Sequence, residues 1–313
     1  MGLFSNSKKL CPICGNPTPR LLATKIEGMP ICKECDNKVD LPEGAVNQMS
    51  LEDFRQYVAF HGENQALRDC FAESYRFSFG LLSSSLLLDT SHGLLRLKDD
   101  QEALVLEASS LKAFRISEDN RPLFEGGSES LRCYQSDVPA QVNAMGPQIA
   151  QFMMQQREFE RMEQMERMRE QRDRNRDGGG APPMYHPRPD FRVPTPFRHF
   201  YVELTFTHPY WNRFRGELDA PSFNQTYPSI DDYLRTYREN TDELHTLAVN
   251  LMQLLNPNAE EVAVGVAAPS ASAAQSAGAG NAIDEIQKYK TLLDAGVITE
   301  EEFTAKKRQL LGI

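Results

Sequence analysis

Four of the six cysteines form two C-x-x-C pairs near the N-terminus. Cys11 and Cys14 belong to a Cys-Pro-Ile-Cys segment, and Cys32 and Cys35 belong to Cys-Lys-Glu-Cys, with seventeen residues between the pairs. A C-x-x-C pair on a tight turn directs two sulfur atoms at one point, and two pairs complete the tetrahedral thiolate set that suits Zn²⁺. We therefore predict a zinc site with these four cysteines as ligands.

The predicted zinc ion would be structural, because four thiolates leave no open coordination position for a substrate. A thioredoxin-like redox pair is the main competing explanation, but it requires a strand–helix context that these pairs lack. A unit of about 40 residues builds little core, so metal binding should supply its folding energy, on the order of 10–16 kcal/mol. Five basic residues near the pairs could offset the charge of the site: Lys8, Lys9, Arg20, Lys25 and Lys33.

The elements around the cysteines divide the chain into five predicted parts. Residues 1–40 form the zinc ribbon, in which Gly15 and Gly28 suit tight turns. Residues 41–70 read as a helical connector, because Ser50 can cap a helix with apolar residues at helical spacing. Those residues are Leu51, Phe54, Tyr57 and Val58.

Residues 71–256 are predicted to form an antiparallel β-domain. Phe77 and Phe79 alternate with small residues, and Leu86–Leu88 and Leu94–Leu97 flank a turn-forming segment. Strand-like residues return near residue 200, where Trp211 with Tyr210 and Phe214 is expected to fill the core. A closing helix from Ile230 to about Leu255 should pack on the sheet through one apolar stripe. The stripe consists of Tyr233, Leu234, Tyr237, Leu244, Leu247, Ala248 and Leu251.

A long helix and a Pro-rich loop, at about residues 148–196, are predicted to interrupt this β-domain. The segment 157–177 contains seven arginines and seven acidic residues. Its methionines do not repeat at the heptad spacing that would place them along one stripe of the helix, so a regular coiled coil is not expected. We interpret the helix as solvated or partly disordered, with a Met-rich docking surface as the functional alternative.

Residues 257–281 are rich in Ala, Ser and Gly and read as a flexible linker. Residues 282–313 then carry the signals of a helical hairpin. Gly296 suits the position after a helix end, and Thr299 with Glu302 forms a capping box for a second helix. Two short helices bury little apolar surface alone, so we expect this hairpin to bind a partner protein or a second copy. The predicted interaction residues are Ile286, Leu293, Val297, Ile298, Phe303 and Leu310.

Three family resemblances follow from these residues. The tail, above all the segment from Leu293 to Phe303, resembles a SHOCT (short C-terminal) domain, a bacterial module that is thought to mediate interaction or oligomerisation. The N-terminal unit resembles a bacterial four-cysteine zinc-ribbon family of unknown function. The strands and closing helix of the middle region are loosely similar to bacterial pleckstrin-homology-like domains. The resulting fold class is an α+β multidomain protein, and the resemblances imply no catalytic activity.

Composition narrows the function classes further. The formal net charge of −10 disfavours general affinity for nucleic acid or anionic membranes. The chain has no apolar run long enough to span a bilayer and no secretory signal at its N-terminus, which predicts a cytoplasmic location. Catalytic motifs such as a phosphate-binding glycine loop or H-E-x-x-H are missing from the sequence, although folding can assemble a site from distant residues. Cys70, Cys133 and six scattered histidines show no ligand spacing.

The sequence therefore predicts a non-enzymatic, zinc-binding scaffold or adaptor. Two alternatives stay open. Nucleic acid could bind through the basic residues of the ribbon, and a lipid headgroup could bind through the β-domain. The first would show steep salt dependence, and the second would show binding to liposomes.

Overall fold

A computed structural model describes residues 5–19, 21–80, 85–174, 188–192 and 195–265. The chain divides into two units, Met1–Ala267 and Ala268–Ile313, and all the described residues belong to the first. The predicted hairpin and its six interaction residues therefore lie outside the described residues. The described part is a mixed α+β structure.

The cysteine-rich unit consists of two small hairpins and one helical turn. Strands β1 (Ser5–Leu10) and β2 (Pro17–Pro19) pair antiparallel, as do β3 (Lys25–Ile26) and β4 (Met29–Pro30). Helix α1 (Lys33–Asp36) follows. Each cysteine pair thus lies next to a short hairpin.

The connector is helical, as predicted. After a 3-10 helix at Ala45–Gln48, helices α2 (Leu51–Glu63) and α3 (Gln65–Cys70) follow each other closely. Ser50 caps α2: its side chain accepts a hydrogen bond from the Asp53 amide, and the Asp53 side chain accepts one from the Ser50 amide. The Ser50 cap confirms the predicted start of the helix, and the bond to Asp53 completes a capping box.

The first large sheet has four antiparallel strands in sequential order. They are β5 (Tyr75–Ser78), β6 (Ser85–Asp89), β7 (Leu94–Arg96) and β8 (Val105–Glu107). The predicted turn between β6 and β7 is present, and Asp89 organises it by accepting hydrogen bonds from the amides of Ser91 and His92.

The second sheet has six strands in the order β13-β12-β9-β10-β11-β14. Its members are β9 (Leu111–Glu118), β10 (Arg121–Gly126), β11 (Ser130–Tyr134), β12 (His199–Phe206), β13 (Arg213–Asp219) and β14 (Glu260–Val264). All neighbours are antiparallel except β11 and β14, which pair parallel. Within the described part of the chain, β14 is an edge strand of this sheet and pairs with a strand on one side only.

Helices α4 (Val138–Ala144) and α5 (Gly146–Arg174) separate β11 from β12, which places the predicted helical insertion inside the second sheet. The helix begins two residues earlier than predicted. Its first turns are not solvated, because Ile149 and Phe152 pack with Phe191 in a small buried cluster. Gln156 is buried as well, and α5 is exposed or half-buried from Arg157 to Arg172.

Helix α6 (Ile230–Leu255) covers the second sheet, with contacts to β9, β10 and β11. Ser229 caps it by accepting a hydrogen bond from the Asp232 amide. All seven residues of the predicted apolar stripe are buried. Burial of this stripe, rather than helix propensity, therefore fixes the helix on the sheet.

Two sequence predictions need correction. The strands form two sheets rather than one, because pairing stops between β8 and β9, where a 3-10 helix at Ala108–Ser110 intervenes. The predicted linker from residue 257 begins too early, since β14 lies within it. This short strand pairs with β11, which lies about 130 residues earlier in the chain, so local composition could not reveal it.

Asp40 joins the cysteine-rich unit to the rest of the chain. Its carboxylate accepts a hydrogen bond from the Leu104 amide (2.8 Å) and pairs with Lys98 (2.9 Å). Its backbone carbonyl accepts from the indole nitrogen of Trp211 (3.0 Å), and its amide donates to the Tyr57 hydroxyl (2.7 Å). Trp211 is buried as predicted, and its polar end serves this junction.

Candidate metal centre

The structure brings together the four cysteines of the C-x-x-C pairs. Their sulfur atoms all lie within 4.8 Å of one another. The individual separations are 3.3 Å for Cys14–Cys32, 3.6 Å for Cys35–Cys14 and 3.9 Å for Cys11–Cys35. Zinc–sulfur bonds of 2.3 Å in a tetrahedron require separations of about 3.8 Å. The cluster is therefore consistent with a zinc ribbon, and its donor set fits a tetrahedral ion.

Turn geometry aims each pair at the common centre. In the first turn, the Cys11 amide donates to the carbonyl of Asn16 (2.8 Å) and the Gly15 amide donates to the carbonyl of Cys11 (2.9 Å). Gly15 adopts a φ of 76° and Gly28, in the turn between β3 and β4, a φ of 79°. Both values lie in the left-handed region that favours glycine, as the sequence predicted for these turns.

Contacts across the unit hold the two cysteine turns together and against helix α2. The Asn16 amide side chain donates to Glu34 (2.6 Å), which links the first turn to α1. Arg55 on α2 donates to the carbonyl of Pro12, inside the first pair (3.1 Å). The backbone of the first cysteine pair is thus bonded directly to α2, in addition to the covalent connection along the chain.

Burial differs among the four cysteines. Cys11, Cys32 and Cys35 are buried, whereas Cys14 is exposed. Burial raises the pKa of the Cys32 and Cys35 thiols. Burial has the same tendency at Cys11, but backbone hydrogen bonds from Cys14, Cys32 and Ile13 outweigh it and lower the pKa of Cys11 to about 7. Because a metal takes thiolates as ligands, binding at this cluster would release protons.

The basic residues expected to offset the charge of the site are only partly described. Lys25 and Lys33 are exposed. The side chains of Lys8 and Lys9, and the whole of Arg20, lie outside the described part of the chain. The role predicted for these five residues stays a prediction.

A second cluster of metal-ligand side chains escaped the sequence analysis. Cys133 on β11, His245 on α6 and Glu261 on β14 place their ligand atoms within 4.8 Å of one another. The sequence suggested that Cys133 stands alone, but the structure places it beside His245 and Glu261. No spacing could have revealed this cluster, because Cys133 lies 112 residues before His245 and 128 before Glu261.

Burial, together with the hydrogen bond to Glu261 and the charge of Glu261, raises the pKa of the Cys133 thiol to about 12. The thiol therefore stays protonated at neutral pH in the absence of a cation.

The other described histidines show mainly structural roles. His61 contacts the carbonyl of Glu102 (2.8 Å), and His208 accepts a hydrogen bond from the Trp211 amide (3.2 Å). By contrast, His199 on β12 lies 3.1 Å from Glu217 and 3.6 Å from Asp219 on the neighbouring strand β13, and the ligand atoms of these three residues lie within 4.8 Å of one another.

Comparison with protein families finds a match in the C-terminal part of the chain. Residues 284–311 match SHOCT, the Short C-terminal domain, over less than a tenth of the 313-residue chain. This confirms the resemblance that the tail sequence suggested, whereas no family is assigned to the middle region. Searches of curated proteins and of solved structures find no match to the chain. Among the described residues, no helix is both long and apolar enough to cross a membrane.

Proposed function

We propose that this protein is a non-enzymatic scaffold or adaptor, in which a structural zinc ion orders the N-terminal ribbon and the C-terminal SHOCT segment binds a partner protein or a second copy. The observation that carries the proposal is the convergence of four cysteine sulfurs on the same chain as a SHOCT match. A closed four-thiolate site orders a chain without offering a reactive position.

The distribution of exposed apolar side chains supports a protein partner. Large exposed hydrophobic residues occur in the cysteine-rich unit and along α5. In the unit they are Leu10, Leu21, Leu22 and Met29, and on α5 they are Met154, Met162, Met165 and Met168. Exposed apolar side chains in groups are typical of interaction surfaces, and methionine adapts to partners of different shape. This pattern favours protein contact over contact with phosphate groups.

The middle region supports a pleckstrin-homology-like interpretation in one respect. A four-stranded antiparallel sheet is followed by a second sheet and a covering C-terminal helix. In the proposed arrangement this region is the body to which the ribbon and the SHOCT segment are attached.

The decisive experiment removes residues 282–313 and leaves β14 in place. We expect the truncated chain to lose self-association in multi-angle light scattering, or to lose a partner in affinity purification followed by mass spectrometry. These are the two consequences expected when the interacting module is deleted. An unchanged mass together with an unchanged set of partners would refute the proposed role.

A matched pair of single substitutions sharpens this test. Phe303→Asp places a charge at a predicted apolar interaction position, whereas Thr304→Asp places the same charge one residue further on. We expect Phe303→Asp to reproduce the deletion and Thr304→Asp to behave as the unmodified chain. Equal behaviour of the two variants would show that net charge, rather than an apolar contact, controls the association.

A further inference from the structure

Three different metal-ligand side chains meet where the end of the described chain returns to the second sheet. The Cys133 sulfur and the His245 Nε2 atom each lie 3.2 Å from the same oxygen of Glu261, Oε1. The three residues come from β11, α6 and β14, so the arrangement depends on the fold and not on one loop.

The pairing of β11 with β14 explains why Cys133 and Glu261 face the same way. Leu131 pairs with Glu261, and Cys133 pairs with Ala263. Alternate residues of a strand share a face, so Cys133 and Glu261 lie on the face that contains the buried Leu131 and is covered by α6. His245 extends from α6 toward this face, where its ring also lies 5.3 Å from that of Phe124.

The chemistry of the three groups suits a borderline transition-metal ion. Thiolate, imidazole and carboxylate are the three ligand types that proteins offer to Zn²⁺. Bonds of 2.0–2.3 Å in a tetrahedron require ligand atoms about 3.3–3.8 Å apart. The two measured separations of 3.2 Å and the limit of 4.8 Å for the third bring the set within a small side-chain adjustment of this geometry.

We propose that Cys133, His245 and Glu261 form a second metal site, which binds Zn²⁺ with three protein ligands and one water molecule. On binding, the Cys133 thiol loses its proton to solvent, its sulfur bonds to the ion, and the hydrogen bonds to Glu261 are replaced by metal–ligand bonds. The site goes beyond the proposed scaffold function, because it is separate from the four-cysteine cluster and uses none of its residues.

The position of the site gives the ion a structural consequence. Four of the five side chains of β14 are exposed, so the strand is held mainly by its backbone pairing with β11. An ion shared by β11, α6 and β14 would fix this edge strand to the helix above it. Bound zinc should therefore slow local opening of β14 and leave the centre of the second sheet unchanged.

The test starts from full-length protein that already holds one zinc ion in the four-cysteine cluster. Titration with Zn²⁺ should show one further ion per chain by calorimetry and by metal analysis after gel filtration. Glu261→Gln and His245→Ala should each weaken this second binding by more than about tenfold, since each removes a ligand. Glu260→Gln is the matched control, because it neutralises the neighbouring carboxylate on the opposite face of the same strand and should leave binding unchanged.

Hydrogen exchange supplies an independent readout. Added zinc should slow amide exchange in residues 260–264 of the unmodified chain and of Glu260→Gln, but not of Glu261→Gln. Failure of the unmodified chain to take up a second ion would overturn the proposal. Equal uptake by all variants would also overturn it, because the ion would then bind elsewhere. Neither result bears on the four-cysteine cluster, which stays filled throughout.

Discussion

The cysteine ribbon and helix α6 bury apolar surface on very different scales. Among the described residues of the ribbon, the buried apolar side chains are two isoleucines and three cysteines, Ile26, Ile31, Cys11, Cys32 and Cys35. Helix α6 alone buries nine residues. The sheet body can therefore draw its stability from hydrophobic burial, whereas we expect the ribbon to depend on the proposed zinc ion.

This difference means that the two regions should respond independently to loss of metal. The junction at Asp40 lies after the last cysteine, and its hydrogen bonds to Leu104 and Trp211 belong to the body. A ribbon that loses its ion can unfold up to Asp40 while every residue of the four-stranded and six-stranded sheets keeps its place. Three substitutions test the comparison, in order of decreasing effect.

Cys14→Ser should abolish ordered structure in the ribbon and leave the sheet body folded. Cys14 is exposed, so the effect would come from the missing ligand and not from lost packing. The folding energy that the metal supplies to such a unit is on the order of 10–16 kcal/mol. Zinc analysis and amide exchange of residues 5–36 would measure the loss. Cys70→Ser, which also replaces an exposed cysteine, should retain the metal; loss of order in both variants would contradict the assignment.

Leu247→Ala should act in the opposite sense, by destabilising the body and sparing the metal site. Leu247 belongs to α6 and its side chain is fully buried, and removal of such a side chain costs about 2–5 kcal/mol. Chemical denaturation monitored by circular dichroism would measure this loss. The exposed Gln253 on the same helix provides the control, Gln253→Ala. A large fall in zinc content on Leu247→Ala would show that the two regions are not independent.

Tyr57→Phe addresses the junction and should have the smallest effect. The Tyr57 hydroxyl accepts from the Asp40 amide (2.7 Å) and donates to the Lys38 carbonyl (2.5 Å). Its removal leaves one buried donor and one acceptor unpaired, at a cost of about 1–3 kcal/mol in unfolding free energy. Tyr210→Phe, at the ring that lies 5.0 Å from Tyr57, is the control and should change stability by less than about 0.5 kcal/mol. Equal losses in the two variants would contradict a specific role of the Tyr57 hydroxyl at the junction.

Features with a local cause were predictable from the sequence. The cysteine turns, the Ser50 cap and the apolar stripe of α6 all depend on residues within a few positions of one another, and the structure contains them. The SHOCT match confirms the family resemblance of the tail, whereas the helical hairpin and its interaction residues stay predictions. Short-range patterns define such elements because hydrogen bonds and side-chain spacing within one turn decide them.

Features that depend on distant residues were missed. β14 has an ordinary composition, and its pairing partner lies about 130 residues away. The Cys133–His245–Glu261 cluster exists only because β11, α6 and β14 meet. The division into two sheets likewise depends on which strands pair, and the alternation of apolar residues in β8 and β9 is compatible with either arrangement.

The edge position of β14 has a practical consequence for shortened forms of this protein. A chain cut at residue 257 would lose β14 and uncover the backbone amides and carbonyls of β11, which could then template strands of other molecules. Such a form would aggregate through the unpaired edge of β11, and this aggregation could be mistaken for specific self-association. A cut placed after Gly265 retains β14 and avoids this artefact.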